Sequence, residues 1–406
     1  MPQYNTAANA FAHNTKTEFV AASVVDNLDY IRASVSKMKQ ADLKNKKFGR
    51  QYNLYIPSRP QVRDGLCATP DEIVEIETPI TLNNNNVSCA LNAWQELTSI
   101  ESFTKEIAKP FGETLARGVQ DRIVKDNIYK NMQAVVASTP SFEVLSDAAS
   151  ALGELAVDGD VVAFLAPTVT GKIAASGLGL FQAAQEAKDI YGKNALGEYA
   201  GAKTIKQAAL PVLKVGTAAT GTLTLVEVED ADNNVIGYEE VTKIAGTNLQ
   251  VGDIFKLSGL KIVDPSGLKT DQDVVISVIG VNAAGTEGTI MPLRVTPKSG
   301  NYNNPNAWVE DNTDVSDPLT LTFGLEANTS YYVGQLRIAD ALAFDSYKFS
   351  TLPGSETEEV AELGPVSLKM SMFGEGNCLE KFIRLDFPHA AGIWDSRLCV
   401  GVYIKK

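Results

Sequence analysis

From about residue 214 the sequence breaks into short apolar runs with regular punctuation. Thr222-Leu-Thr-Leu-Val-Glu-Val-Glu229, Tyr238 to Ile244, Asp253 to Leu257, Val274 to Val281 and Thr289 to Val295 each have strand character, with Gly, Asn and Asp between them. Short strands at this spacing imply an all-β barrel or sandwich. Ser299-Gly-Asn-Tyr-Asn-Asn-Pro305 reads as a turn-rich exit from it. Mixed α/β sequence stands on both sides, so the block 214–310 reads as an insertion.

The flanks differ in period. Phe111, Leu115, Val119, Ile123, Ile128 and Met132 mark one helical stripe, opened by Pro110 and preceded by the capping-box spacing Thr98-Ser-Ile-Glu101. Run to Val136, this helix would be ~40 Å long. Residues 93–140 therefore read as one helical unit. Across 141–213, Asp147 to Val157 reads as helix, Asp158-Gly-Asp160 as a turn and Val161 to Ala166 as a buried strand. A helix-and-loop stretch then leads to Leu210-Pro-Val-Leu213. In 311–406, Ser330 to Phe349 is expected to contain a helix and Ser367 to Lys406 strands.

Two N-terminal segments have little core of their own. Val20, Val24, Leu28, Ile31, Val35 and Met38 form an amphipathic helical stripe within 1–50. Its partner surface lies on the same chain or on a neighbouring subunit. Residues 51–92 read as a long β-hairpin: Tyr52 to Ile56 and Ile73 to Thr78 are strands, prolines interrupt them, Asn83 to Asn86 turn, and Val87 to Leu91 is another strand. Such an excursion suits an arm lying across something else.

Charge is sorted along the chain. Nine Lys/Arg and one acid lie between Arg32 and Arg63, whereas Thr222 to Glu326 carries sixteen acids against six Lys/Arg. This suggests complementary contacts between copies, or surfaces facing different environments, while a solvated basic face explains the arm equally well. Lys44-Asn-Lys-Lys47 is too short for a localisation signal or nucleic-acid site. The net charge of −13 makes a general positive field for nucleic acid implausible. With 406 residues, 44% of them hydrophobic, the chain can bury roughly two or three domain cores. Its apolar runs are too short to span a bilayer, and Met1 to Asn14 lack a signal core.

Catalytic residue types are scarce. His13 and His389 are far apart, and Cys67, Cys89, Cys378 and Cys399 have no metal-ligand spacing, so a His-based triad or transition-metal enzyme is not expected. Reduced thiols in a cytosolic compartment are the default. Ala166-Pro-Thr-Val-Thr-Gly-Lys172 follows a strand as a phosphate loop would. However, Ala166 replaces the first Gly, Ile173 the hydroxyl residue, and Pro167 removes an amide. Asp311, Asp314 and Asp317 offer hard oxygens for Ca²⁺ but lack an EF-hand's Gly and terminal Glu, so a solvated loop is favoured. Tyr52, Tyr55, Tyr331 and Tyr332 fit packing better than recognition.

Val87-Ser-Cys-Ala-Leu91, Phe103, Pro110 and Leu115-Ala116 resemble the passage from extended E-loop to spine helix in major capsid (coat) proteins of tailed double-stranded DNA bacteriophages. Leu249-Gln-Val-Gly-Asp-Ile-Phe-Lys-Leu-Ser-Gly-Leu260 resembles the barrel signature of the short-tailed-phage branch that carries an inserted domain. Thr289-Ile-Met-Pro and Gly300-Asn-Tyr-Asn-Asn-Pro305 fall where that branch has its closing strand and tyrosine loop. Ser367-Leu-Lys-Met, Arg384-Leu-Asp386 and Leu398-Cys-Val-Gly-Val402 resemble the last strands. Pro388-His389 replaces a more usual aromatic-Gly turn, and the first 45 residues have no counterpart.

The resemblance implies an α+β chain with the Hong Kong 97 capsid fold: N-arm, E-loop, spine helix, peripheral and axial domains, and an inserted all-β barrel. It implies a major capsid protein that self-assembles through pentamers and hexamers into an icosahedral shell around double-stranded DNA, without gripping that DNA specifically. Scaffolding protein and portal are the implied partners, with assembly in the host bacterial cytoplasm and residence in the virion. No catalytic residue, cofactor, metal or membrane is expected. An encapsulin-like nanocompartment shares the fold but lacks the barrel; an α/β enzyme with a degenerate phosphate loop is the reading from a different class.

Overall fold

The computed structural model describes residues 21–22, 24–25, 28, 51–56, 76–92, 109–155, 159–176, 198–298, 304–310, 315, 318–346, 357–363, 366–375 and 380–406. Strands β1 (Gln51–Ile56), β2 (Ile76–Thr81) and β3 (Asn83–Asn92) precede helix α1 (Lys109–Asn127). Next come β4 (Gln133–Ala137), α2 (Phe142–Gly153), β5 (Val161–Leu165) and α3 (Pro167–Ser176), then β6 (Glu198–Tyr199), β7 (Ala202–Lys206) and β8 (Val212–Lys214). A run of short strands follows: β9 (Thr220–Leu223), β10 (Glu227–Glu229), β11 (Val235–Tyr238), β12 (Val241–Thr247), β13 (Ile254–Val263) and β14 (Lys269–Ser277). It continues with β15 (Gly280–Val281), β16 (Glu287–Leu293), β17 (Val295–Thr296), β18 (Ala307–Val309) and β19 (Leu319–Phe323). The last strands are β20 (Ser330–Ile338), β21 (Leu342–Ser346), β22 (Thr357–Leu363), β23 (Val366–Glu375), β24 (Glu380–Ile393) and β25 (Cys399–Lys405). The architecture is sheet-rich and mixed, with few helices among the described residues. It divides into two compact units: Met1–Leu54, Pro79–Ile123 and Leu342–Gly392 form the first, and Tyr55–Thr78, Val124–Ala341 and Ile393–Lys406 the second.

The first unit is built on a five-stranded sheet of order β21-β24-β23-β22, with β3 added to β24. Leu368, Leu385, Phe387 and Phe344 are buried in its core, and Leu115, Ala116 and Val119 bury the expected face of α1. Asn83–Asn86 is strand, not the turn expected from its composition. These residues pair antiparallel with Asp386–His389. Asn is a poor strand former, but here two of the four side chains have fixed partners. Asn84 Nδ2 donates to Asp386 Oδ1 at 2.8 Å, and Arg122 donates to Asn83 Oδ1 at 2.6 Å. Pro388-His389 likewise lies within β24.

The second unit contains two large sheets and the two-stranded β10–β11 sheet. One has seven strands, ordered β4-β25-β20-β5-β7-β6 with β8 also on β20. The other has nine, ordered β15-β16-β12-β9-β19-β13-β18-β17 with β14 on β13, antiparallel except for the β17–β18 pair. The strand-rich reading of the block holds, but the stretch ending at Pro305 is no exit: β18 and β19 rejoin the same sheet, and β19 lies between β9 and β13. Phe255, Leu257, Leu260, Ile262 and Val274 are among its core, which Met132 and Leu155 join from earlier elements.

Two helical expectations fail. The long helix ends at Asn127, so 19 residues give about 28 Å rather than ~40 Å. Ile128 and Met132 continue the apolar stripe, but the terminal carbonyls are taken by buried amides. Gln335 Nε2 donates to Asn127 O at 3.2 Å and Asn131 Nδ2 to Ile128 O at 2.9 Å. Asn127, fully buried, accepts the Ile393 amide on Oδ1 at 3.1 Å. The chain then turns into β4, parallel to β25. The expected helix in Ser330 to Phe349 is instead β20, a short 3-10 turn and β21 within the described residues. β20 is paired by β25 on one flank and by β5 and β8 on the other, and is buried on both faces, so it has no period-2 alternation to read. The first helix after the spine also sits earlier than expected, at Phe142–Gly153.

Val24 and Leu28 of the N-terminal stripe are buried; its remaining positions, the basic residues 32–50, the distal hairpin 57–75, Thr98 to Ile107, and Asp311, Asp314 and Asp317 lie outside the described residues.

Candidate functional site

The phosphate-loop-like segment forms no loop. Pro167 opens α3 directly after β5, as a first helical residue without an amide to lose. The amide and hydroxyl of Thr170 both donate to Ala166 O, at 3.0 and 3.2 Å. Gly171 and Lys172 lie inside the helix, so these amides cannot converge on a phosphate.

Among the described residues, Cys399 and His389 are similarly committed. Cys399 is a buried free thiol on β25, and burial pushes it up to about 12, far from thiolate formation at neutral pH. Cys89 lies on β3; Cys67, Cys378 and His13 fall outside the described residues. His389 is buried on β24 with Nδ1 3.0 Å from Phe387 O, and burial, reinforced by Arg122, holds its pKa below the ordinary imidazole value. It is a neutral core histidine. Tyr331 is buried, its hydroxyl accepting the Glu326 amide at 3.1 Å. Among the described residues no group of three His, Cys, Asp or Glu could hold a metal ion, and no helix is long and apolar enough to cross a membrane.

The polar chemistry is architectural. Asp395 caps the 3-10 turn Ser396–Leu398 by accepting the Arg397 amide at 3.0 Å. The same carboxylate takes Arg397 Nε at 2.9 Å and Nη2 at 2.7 Å in a buried bidentate pair. Burial alone would raise the Asp395 carboxyl, but the Arg397 cation and its hydrogen bonds hold it below the usual range. Arg397 Nη1 donates to Val263 O at 3.2 Å and Asp264 O at 3.0 Å. Beside it, Arg294 reaches Asn304 O at 3.1 Å and Glu240 at 3.4 Å. The Arg397 guanidinium thus fastens the loop after β13 to the turn before β25, while Arg294 ties together loops of the nine-stranded sheet. Sequence reading singled out none of Asp395, Arg397 and Arg294.

A second polar group surrounds Asp253. Oδ2 accepts the Gln250 amide at 2.8 Å. Oδ1 is buried without a hydrogen-bond partner, as are Ser277 Oγ and Tyr403 Oη. Burial pushes the Asp253 carboxyl up to about 6.

One solvent-facing constellation stands out in the second unit. Lys214 pairs across with Ser330, and the Lys406 amide donates to Ser330 O at 2.9 Å from the other flank. Directly paired residues share a sheet face, so Lys214, Ser330 and Lys406 form a row. Tyr332, two residues on, shares that face with its partner Val212. Lys172 of α3 and Lys406 each place Nζ 5.9 Å from the Tyr332 ring centroid. Sequence reading missed this face because four separate elements supply it.

No family model matches the chain. No curated protein matches it either. Solved structures do, among them phage capsids and a virus-like particle. The chain is similar to the capsid of Ralstonia phage GP4 at 7% identity and a TM-score of 0.45, over 89% of this chain and 85% of that one. The capsid structure of cyanophage P-SCSP1u is matched at 10% identity and a TM-score of 0.44, over 91% and 85%. A virus-like particle from Pyrococcus furiosus is matched at 10% identity and a TM-score of 0.36, over 96% and 97%.

Proposed function

We propose that the chain is the major capsid protein of a tailed phage, self-assembling into the icosahedral shell that encloses double-stranded DNA. In this reading the nine-stranded sheet is the inserted domain of a Hong Kong 97-type fold, α1 the spine helix and β1–β2 part of the E-loop. The supporting observation is local. The Val215 amide donates to Thr329 O at 2.9 Å, and the Asn328 amide to Gly216 O at 2.8 Å. The chain leaves and re-enters the seven-stranded sheet at one point, between β8 and β20, which pair directly. Adjacent ends are what a domain insertion requires. The sequence resemblance lies on both sides of that point. The buried Cys399 thiol, the neutral His389 and the helical Pro167–Lys172 segment suit a structural role rather than turnover. Scaffolding protein and portal are the proposed partners, and the virion the proposed location.

Sedimentation velocity and negative-stain microscopy of the purified full chain, alone and co-expressed with a scaffolding protein, test this. Shells or capsomer rings are expected. A compact monomer under every condition overturns the reading.

A further inference from the structure

We propose that the Lys172–Lys214–Lys406 face is a docking site for the acidic β10–β11 hairpin of a second copy of this chain; the inference rests on the shell reading. The two surfaces are complementary in charge and in apolar content. On the receiving face, Lys172, Lys214 and Lys406 are exposed around half-buried Tyr332, and Val212 is 38% exposed. Lys405 adds no free charge, because Glu326 pairs with it at 2.6 Å.

On and beside the hairpin, Glu227, Glu229, Asp230, Asp232, Glu239 and Glu240 fall within fourteen residues that contain no Lys or Arg, and of these Glu240 is already held by Arg294 at 3.4 Å. Glu227, Glu229, Asp232 and Glu239 are exposed, as are Val226 at 50% and Ile236 at 36%. β10 and β11 form a two-stranded sheet of their own. Its tip is fixed by Asp230, whose Oδ1 accepts the Asp232 and Asn234 amides at 2.9 Å each. A preformed tip is ordered before docking, which lowers the entropic cost of association. A polyanionic nucleic acid is the weaker occupant, since the chain carries −13 overall and would repel it outside the small lysine face. Different patches meeting on successive copies make a heterologous contact, which closes into rings when the rotation permits.

Two full-length variants test the contact, one carrying Lys172→Glu, Lys214→Glu and Lys406→Glu, the other Glu227→Lys, Glu229→Lys and Asp232→Lys. Light scattering at low salt should show each raising the assembly threshold roughly tenfold, and the six-substitution chain, with charges exchanged, returning close to wild type. A threshold unmoved by either triple change overturns the inference, as does a combined chain no better than the singles. A hairpin effect without a lysine-face effect does so too, by assigning the hairpin another partner such as segment 32–63. Should charge reversal impair folding, Lys406→Cys and Asp232→Cys chains are mixed under assembly conditions and treated with a short bis-maleimide. A dimer band that neither chain gives alone supports the contact, and its absence overturns it. Wild-type chain that never assembles removes the shell reading itself, whereas shells indifferent to these changes remove only the inference.

Discussion

Gly252 lies against the ring of Tyr129. At φ +97° its backbone is in the left-handed region, and a Cβ there would fall 2.8 Å from Tyr129 Cε1 and 3.0 Å from Leu213 Cδ1. Both conformation and space demand glycine. Gly252→Val should therefore unfold the second unit, and Gly252→Ala should cost about 2–4 kcal/mol in urea melts. An Ala variant within about 0.5 kcal/mol of wild type sinks this account.

Asp253, the next residue, should make stability pH-dependent. Burial raises its carboxyl from 3.8 to about 6. The folded chain then holds this proton more tightly than the unfolded chain. The contribution is fully present below 3.8 and is lost as pH rises through about 6. Asp253→Asn should thus stabilise the protein by about 1–2 kcal/mol at neutral pH and hardly at all near pH 4. Equal effects at both pH values would show that Asp253 does not titrate in this window.

A fragment's boundaries should decide whether the nine-stranded sheet folds alone. Residues 214–310 omit β19, which separates β9 from β13. Removing it leaves two open strand edges, a template for aggregation. Fragment 215–329 should give dispersed amide NMR signals and cooperative unfolding, and 214–310 should not. Identical spectra from the two would make β19 dispensable.

These strands were legible because their outward positions carry polar residues and their turns carry Gly, Asn and Asp. β20 was not, since Gln335 and Arg337 are fully buried among apolar neighbours, so polarity there does not mark an outward face. The end of α1 was hidden for another reason. Its stopping groups, Gln335 and the Ile393 amide, lie about two hundred or more residues away in sequence, where no local window reaches. The lysine face was illegible for the same reason.

Arg397 should be far less replaceable than a surface cation. Arg397→Ala leaves the buried Asp395 carboxylate unpaired and should cost about 3–5 kcal/mol. Arg397→Lys keeps the charge but loses the fork, and should still cost about 2 kcal/mol. Denaturant midpoints measure both. A lysine variant as stable as wild type would show that charge alone holds this turn.

The basic segment 32–63 supplies a separate test of assembly. Lys44→Gln, Lys46→Gln, Lys47→Gln and Arg50→Gln together should barely move the melting temperature, because exposed pairs contribute only ~0–1 kcal/mol each. The concentration needed for shells should rise, most clearly at low salt. Unchanged thresholds at low and high salt would make the segment a solvated face.

β25 sits in the seven-stranded sheet between β4 and β20, with Val400 opposite Gln133 on one flank and Leu336 on the other. Both flanking strands leave the ribosome before it does. During synthesis the sheet must therefore wait, with two unfilled edges facing an empty slot, while β21 to β24 of the other sheet are made. Pairings of such large sequence separation form slowly. The interval exposes a nascent subunit to strand capture by its neighbours. A cell making many copies at once would meet that hazard on every polysome, so subunit yield should track chaperone supply more closely than it tracks the stability of the finished fold.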